Sequence, residues 1–429
     1  MESTGFCIYG AIPPRLVVQY PVMYRGVINV LRSKSNHWSP QVIRLFGVAS
    51  LWELAMSLAA SFMGSWFWHI HTKPLHIIIY YLLLFLIMTL VFAWAAKKTR
   101  RVPIHIMMRL GIVIAMAYLT MTVVLGTTVR SLYLVLGALT GLSSGFYWLS
   151  LYMAAAFWIP SGQAEWYNAS IGVVENVFAI AAPPLSGWII LSLHQTQGYR
   201  VIFAIAAGLL SIAGIVSPKP NTVIDYNALS STPKDNTSPW RQVLQGMTMM
   251  GFRDGVLYII PGLYLYIMTQ NPVDLGFYFT MEGVLQIIAF YGLSHWVGLQ
   301  HVPVIRRIGL VLSVISGSFL FILPKTPGLF IFGGLVALTY PIYKIALEAR
   351  ALELIQQTTP EQAERNRLTS TKEFWLNLGR LMSFIILAVL LVFVHLPLLN
   401  WLPLLLAAWP LTTMMVYLRL PPPTIESTP

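Results

Sequence analysis

Three carboxyl groups, Glu53, Asp254 and Glu282, sit in stretches of sequence that are otherwise long and apolar. An ionisable side chain near the centre of a bilayer costs at least about 2.5–3.5 kcal/mol, so it normally faces a cavity or a partner. Glu53 lies nine residues beyond Arg44, about 13 Å along a helix and near mid-membrane depth. Burial disfavours the charged form of a carboxyl, which lets such a group exchange a proton near neutral pH. The chemistry open to these three is proton exchange or the holding of a polar ligand. The alternative is a carboxylate neutralised in place, as Asp254 could be by Arg253. Adjacent helix residues do not face each other, so that pairing is not automatic.

A second set of charges clusters towards one end of its apolar stretches. Lys344 and Glu348 are four residues apart, Glu175 and Glu373 open two further stretches, and Lys372 and Arg380 add positive charge. Glu348 follows Lys344, the less favourable order for an isolated helix pair. Arg380 lies seven residues deeper than Glu373 and is the better placed to touch an anionic ligand.

The elements that hold these residues follow from composition. The chain has 429 residues, 57% hydrophobic and 10% charged, where an average soluble domain carries roughly 25% charged residues. Its mean hydropathy is +0.69. These values exclude a water-soluble globular enzyme, a disordered regulator and a DNA-binding domain. The single cysteine, Cys7, excludes a disulfide framework and a Cys-built metal site. A bilayer core about 30 Å thick takes roughly 20 apolar residues per helix. Twelve such spans are expected: 46–68, 76–96, 103–126, 132–158, 169–193, 201–217, 245–268, 275–297, 303–323, 328–350, 370–394 and 397–418.

The net charge of +12 is distributed by loop. Most of the 27 Lys and Arg residues fall in the N-terminal tail and the even-numbered loops, and few in the odd-numbered ones. The positive-inside rule then places both termini in the cytoplasm, and nucleic acid is not needed to explain the charge. Residues 1–45 show no secretory signal pattern. With Arg15, Arg25, Arg32 and Lys34 among Val, Tyr and Leu, they read as an interfacial segment or as a poorly ordered tail. Residues 419–429 form the C-terminal tail.

The linker 218–244 is the longest and most polar, and it divides the spans six and six. The second half matches the first at offsets from 196 to 200. Arg109-Leu110-Gly111 corresponds to Arg307-Ile308-Gly309, and Gly137, Tyr147 and Leu151 correspond to Gly333, Tyr343 and Leu347. Asn168 and Glu175 correspond to Asn366 and Glu373. An even number of helices per unit gives both halves, 46–217 and 245–418, the same orientation in the membrane. Such parallel repeats occur in the two halves of major facilitator superfamily transporters.

Over 43–418 the chain resembles that superfamily. The segment Phe92-Ala93-Trp94-Ala95-Ala96-Lys97-Lys98-Thr99-Arg100-Arg101-Val102-Pro103-Ile104 is similar to its first signature, with the basic positions kept and both glycines and the acid replaced. Ala182-Pro183-Pro184-Leu185-Ser186-Gly187 is similar to the Gly-Pro-x-x-Gly-Gly signature of its antiporters. The arginine that many proton-coupled members carry inside the fourth helix is missing, since Arg130 lies at the helix start. The resemblance implies an all-α protein of two pseudo-symmetric six-helix bundles that carries a small molecule by alternating access. It also implies that Arg109, Glu175, Arg307, Lys344, Glu348 and Glu373 act as gate ion pairs. Static pairing is the alternative reading of the same residues.

Tyr147, Trp148 and Tyr258 lie inside spans and could line an aromatic cavity or simply pack. Gly141-Leu142-Ser143-Ser144-Gly145 matches the hydrolase elbow Gly-x-Ser-x-Gly. That motif works only on a strained strand-to-helix turn, and here it falls mid-helix, where small residues allow close helix contact. No phosphate-binding Gly-rich loop precedes a Lys-Ser or Lys-Thr pair. The expectation is a non-enzymatic secondary transporter of the plasma membrane, monomeric, without cofactor or metal. Proton-coupled export is its leading mode, with proton-linked nutrient uptake and a non-transporting sensor as alternatives. Its partners are a small-molecule substrate, protons and lipid, and no nucleic acid.

Overall fold

A computed structural model of the chain describes residues 39–98, 104–159, 164–218, 238–296, 302–323, 326–358, 362–393, 398–409 and 412. Among these residues the chain forms twelve α-helices: α1 (Pro40–His69), α2 (Pro74–Lys98), α3 (Ile104–Leu125), α4 (Tyr133–Trp158), α5 (Ala164–Ser192) and α6 (Thr196–Val216), then α7 (Ser238–Thr269), α8 (Pro272–Trp296), α9 (Val302–Ile322), α10 (Thr326–Thr358), α11 (Gln362–Phe393) and α12 (Leu398–Ala408). A 3-10 turn, Gly126–Leu132, joins α3 to α4.

Local chemistry sets several helix ends. Ser39 accepts a hydrogen bond from the Val42 amide at 3.3 Å and Pro40 opens α1, the usual work of an N-cap followed by proline. Asn271 accepts from the Val273 amide at 3.0 Å ahead of Pro272 and starts α8. At the other end of α1 the chain reverses through His71, whose φ of 57° lets the Thr72 amide reach the Phe67 carbonyl at 3.0 Å.

Eight stretches are long and apolar enough to cross a membrane, and one of them, 104–155, runs through both α3 and α4. Among the described residues, α7, α9 and α12 supply none of these stretches; α7 holds Arg241, Arg253 and Asp254, and α9 gives a shorter apolar stretch, Arg307–Leu320. Large apolar side chains such as Val124, Trp188, Ile215 and Phe393 point outwards, as they do where the surrounding solvent is lipid.

Helix packing repeats itself. In the first half α2 and α3 pack on α4, α6 on α3, and α5 on α1; in the second half α8 and α9 pack on α10, α12 on α9, and α11 on α7. The halves meet along α2 with α11 and along α5 with α8. Each of those pairs is the other advanced by six helices. Where α7 crosses α11 the backbones touch, so a Cβ on Gly251 would overlap the Leu376 carbonyl and one on Gly379 the Thr248 carbonyl. One large apolar cluster runs through both halves, and a smaller one joins α7, α10 and α11 around Met247, Tyr343 and Leu347.

Candidate functional site

Two walls of unlike charge face each other between the halves. On the first-half wall, α1 carries Glu53 and α5 carries Glu175, and the two carboxyl groups lie within electrostatic range of each other. Ser57 stands one turn along from Glu53 and within reach of its carboxyl. On the second-half wall α10 carries Lys344, whose charge acts on Glu175 across the divide. The Lys344 ammonium lies 4.9 Å from the centroid of the Tyr340 ring. Tyr152 of α4, partly exposed, is within electrostatic range of Glu348, Glu373 and Arg380.

Helix spacing explains the second wall. Lys344 and Glu348 stand one turn apart on α10, while Glu373, Asn377 and Arg380 share a face of α11. Lys372 bridges the two helices, with its ammonium 2.6 Å from Glu348 and 3.2 Å from Glu373. Arg380 donates to Asn377 at 3.2 Å, and its guanidinium lies 5.8 Å from the centroid of Phe85 on α2, in the other half. Among the described residues Arg380 forms no ion pair.

Asp254 is not open to this space. Its carboxylate accepts from Arg253 at 3.0 Å and from the Tyr343 hydroxyl at 2.9 Å. Arg253 also donates to Tyr343 and, at 3.1 Å, to Thr339 on α10. Trp409 closes the back of the network by donating its indole N–H to the Arg253 carbonyl at 3.1 Å. Arg253 is 1% exposed, so every donor it keeps is spent inside the protein. The pairing that neutralises Asp254 in place is therefore formed.

The remaining expected residues separate. Glu282 on α8 interacts with the Tyr278 phenol, one turn earlier on the same helix. Tyr147 is buried and stacks on Trp52, with centroids 3.6 Å apart and planes at 7°, and Trp148 meets Tyr147 edge-on. The side chain of Tyr258 lies outside the described residues, as do those of Asn168 and Asn366. Arg109 turns away from the other half and caps α6, donating to the Ser217 and Pro218 carbonyls at 3.5 and 3.3 Å. Arg307 is exposed on α9. Thr339, Asn377, Trp52 and Trp409 join the site without having been singled out in the sequence. Only Trp52, beside Glu53, carried a positional signal.

The helices that hold these groups seal one end of the divide. Thr280 on α8 donates to the Ile180 carbonyl of α5 at 2.8 Å. Nearer that end, a Cβ on Gly276 would come within 2.6 Å of the Pro183 carbonyl. Gln195 donates to the Gln270 carbonyl at 3.4 Å.

No family model matches the chain. It is 22% identical over 349 residues to the uncharacterised protein YqgE of Bacillus subtilis (strain 168), covering 80% of both chains. An uncharacterised protein in the sodM 3′ region of Geobacillus stearothermophilus is 25% identical over 170 residues, 40% of this chain and 79% of that one. Solved structures match over 88–90% of the chain. A bacterial homologue of the iron transporter ferroportin, in an inward-facing state, superposes with a TM-score of 0.62 at 15% identity, covering 88% of this chain and 97% of that one. The nucleoside transporter NupG gives 0.63 at 10% identity, over 88% and 98%. A structure described as a bacterial metal transporter gives 0.59 at 15%, over 90% and 98%. The chain shares the fold of these solved transporters. With its eight apolar helical stretches long enough to cross a membrane, it is a multi-pass membrane protein.

Proposed function

We propose that the chain is a secondary active transporter that moves a small molecule by alternating access between two six-helix bundles, 46–217 and 245–418. The observation that carries this reading is the pair of opposed walls, with Glu53 and Glu175 on one half and Lys344 and Arg380 on the other. Charges held by different halves are the ones that rocking would separate. The repeated helix packing supports the two-bundle arrangement, and the loop charges support cytoplasmic termini in a plasma membrane.

Proton-coupled export is the mode proposed. Glu53 and Glu282 are its candidate proton carriers, and Arg380 is the group offered to the substrate. Asp254 takes part through its ion pair, since a proton on Asp254 would remove the partner that holds Arg253. Lys344, Glu175, Lys372, Glu348 and Glu373 form the gate between the walls. Arg109 and Arg307 belong to the same proposal only at its edge, because neither reaches the opposite half in this state.

Two of the similar structures are described as metal or iron transporters and one as a nucleoside transporter. Among the described residues no three His, Cys, Asp or Glu side chains cluster, so an organic cargo is preferred to a metal ion. The test is a thermal-shift screen of the purified protein against metabolites, drugs and divalent cations, followed by flux of the hits into vesicles under an imposed pH gradient. Hits that move only with the gradient support the proposal. Binding without any flux would favour a sensor, and flux indifferent to the gradient would remove the proton.

A further inference from the structure

A separate recess opens at the sealed end, between the α1–α2 turn and the α7–α8 turn. It has a volume of about 470 Å³ and is lined by Trp68, His69, His71, Thr72, Lys73 and Gln270, together with Pro74. That volume falls in the range of small-molecule sites, which run from about 300 to 1,000 Å³. The lining is chemically one-sided. Among the described residues it offers an ammonium, two imidazoles and a carboxamide, and no acidic side chain. Among the described residues Lys73 has no carboxylate partner.

Thr72 underlies the recess as a buried residue, 5% exposed, and His71 and Lys73 on either side of it are exposed. His69 is committed, since its Nε2 lies 2.9 Å from Thr196, which fixes that wall. His71 and Gln270, on opposite lips, both hold positive φ, 57° and 53°.

We propose that this recess binds a small organic anion, a carboxylate or phosphate on an apolar or aromatic body. The acidic group is taken by Lys73 and His71, and the body lies on Trp68 and Pro74. Because Gln270 comes from the second half, the occupant touches both halves at the end where they are already closed. The site is distinct from the opposed walls described above and does not depend on the transport reading.

The experiment is thermal-shift titration of the full-length purified protein with benzoate, inorganic phosphate and benzyl alcohol at matched ionic strength. Benzoate is expected to raise Tm and benzyl alcohol, which has the same ring without the charge, to leave it unchanged. A response to phosphate as well as benzoate assigns the recognition to the acidic group, and a response to benzoate alone adds the ring. Lys73→Gln should weaken benzoate roughly ten-fold, as loss of a charge-assisted hydrogen bond does, while Lys73→Arg keeps the response. Arg380→Gln should keep it too. No shift in the wild type, an equal shift from benzyl alcohol, or a response lost in Arg380→Gln but kept in Lys73→Gln would overturn the proposal.

Discussion

The Arg253 guanidinium donates to the Asp254 carboxylate at 3.0 Å although the two residues are neighbours on one helix. Adjacent helical side chains ordinarily diverge. Here both turn onto α10, where Tyr343 and Thr339 supply the hydrogen bonds that hold them together. The pair lies in the low-dielectric interior, so its two charges depend on each other. Removing one partner of a buried ion pair typically costs about 3–5 kcal/mol, because the other charge is left uncompensated. Asp254→Ala and Arg253→Ala should each lower stability by about that amount in detergent, and Tyr343→Phe by about 1–2 kcal/mol. The double variant should be less destabilised than the sum of the singles. Strictly additive losses in thermal unfolding would mean that the pair is not coupled.

The same relation exists in the first half with different chemistry. Arg253 lies 4.6 Å from the centroid of the Tyr343 ring, and Trp52 stacks on Tyr147 at 3.6 Å. The two tyrosines match across the repeat, and each packs on the residue that precedes a mid-helix acid, Asp254 or Glu53. Trp52 buries a large ring against that stack, and truncating a buried aromatic typically costs about 3–5 kcal/mol. Trp52→Ala should therefore lose stability on that scale, and Trp52→Phe much less. Equal losses from the two would assign the stability to something other than ring packing.

How much of this was legible in the sequence differs by residue. Each of the twelve expected spans overlies a helix, because a run of about 20 apolar residues is a signal that depends only on length. Proximity along the helices was partly readable: Glu348 and Glu373, grouped in the sequence, are joined through Lys372. Direction around the helix was not. Most of these helices are apolar on all sides, so no stripe marks the face that meets a partner. That is why Arg109, at a suitable depth, turns to the end of α6 and away from the opposite wall. It is also why Thr339, one small hydroxyl among many, gave no sign that it would anchor Arg253. Glu53 and Asp254 differ by 201 positions where Tyr147 and Tyr343 differ by 196. That mismatch hid an equivalence which only packing reveals.

Lys372 holds two carboxylates at once, Glu348 at 2.6 Å and Glu373 at 3.2 Å. Without it these acids keep their positions on α10 and α11 with no cation between them. Lys372→Met should destabilise the protein by about 1–3 kcal/mol, and adding Glu348→Gln should restore part of the loss by removing one of the stranded charges. Thermal unfolding of the single and double variants reads both effects. A double variant worse than Lys372→Met alone would show that Glu348 has another stabilising partner.

The closed end rests on backbone contact between α5 and α8. A Cβ on Gly276 would stand 2.6 Å from the Pro183 carbonyl and 2.8 Å from the Pro184 Cα, and backbone cannot yield as a flexible side chain can. Gly276→Val should therefore push the two helices apart, at a cost of about 1–3 kcal/mol for overpacking. The separation can be read with a Gln195→Cys reporter, whose reaction with a water-soluble thiol reagent should quicken in the Gly276→Val background. An unchanged rate would mean that this end is held shut elsewhere.

Glu53 is the carboxyl whose loss should speak most directly to coupling. Its own wall offers it Ser57 and a second acid, Glu175, while Lys344 belongs to the other half. On the proposed mechanism, Glu175 would lose the Lys344 charge as the halves part, and a proton taken up by the two acids would replace that lost positive charge. Glu53→Gln is fixed in the neutral state and has nothing to exchange. It should still bind substrate and still exchange labelled for unlabelled substrate across a vesicle membrane, but flux driven by an imposed pH gradient should fall to background. Glu53→Asp, which keeps the acid on a shorter arm, should retain part of that flux. Gradient-driven flux at the wild-type level in Glu53→Gln would take this residue out of the coupling scheme and leave Glu282 as the carboxyl to test, since Asp254 already has its cation within its own half.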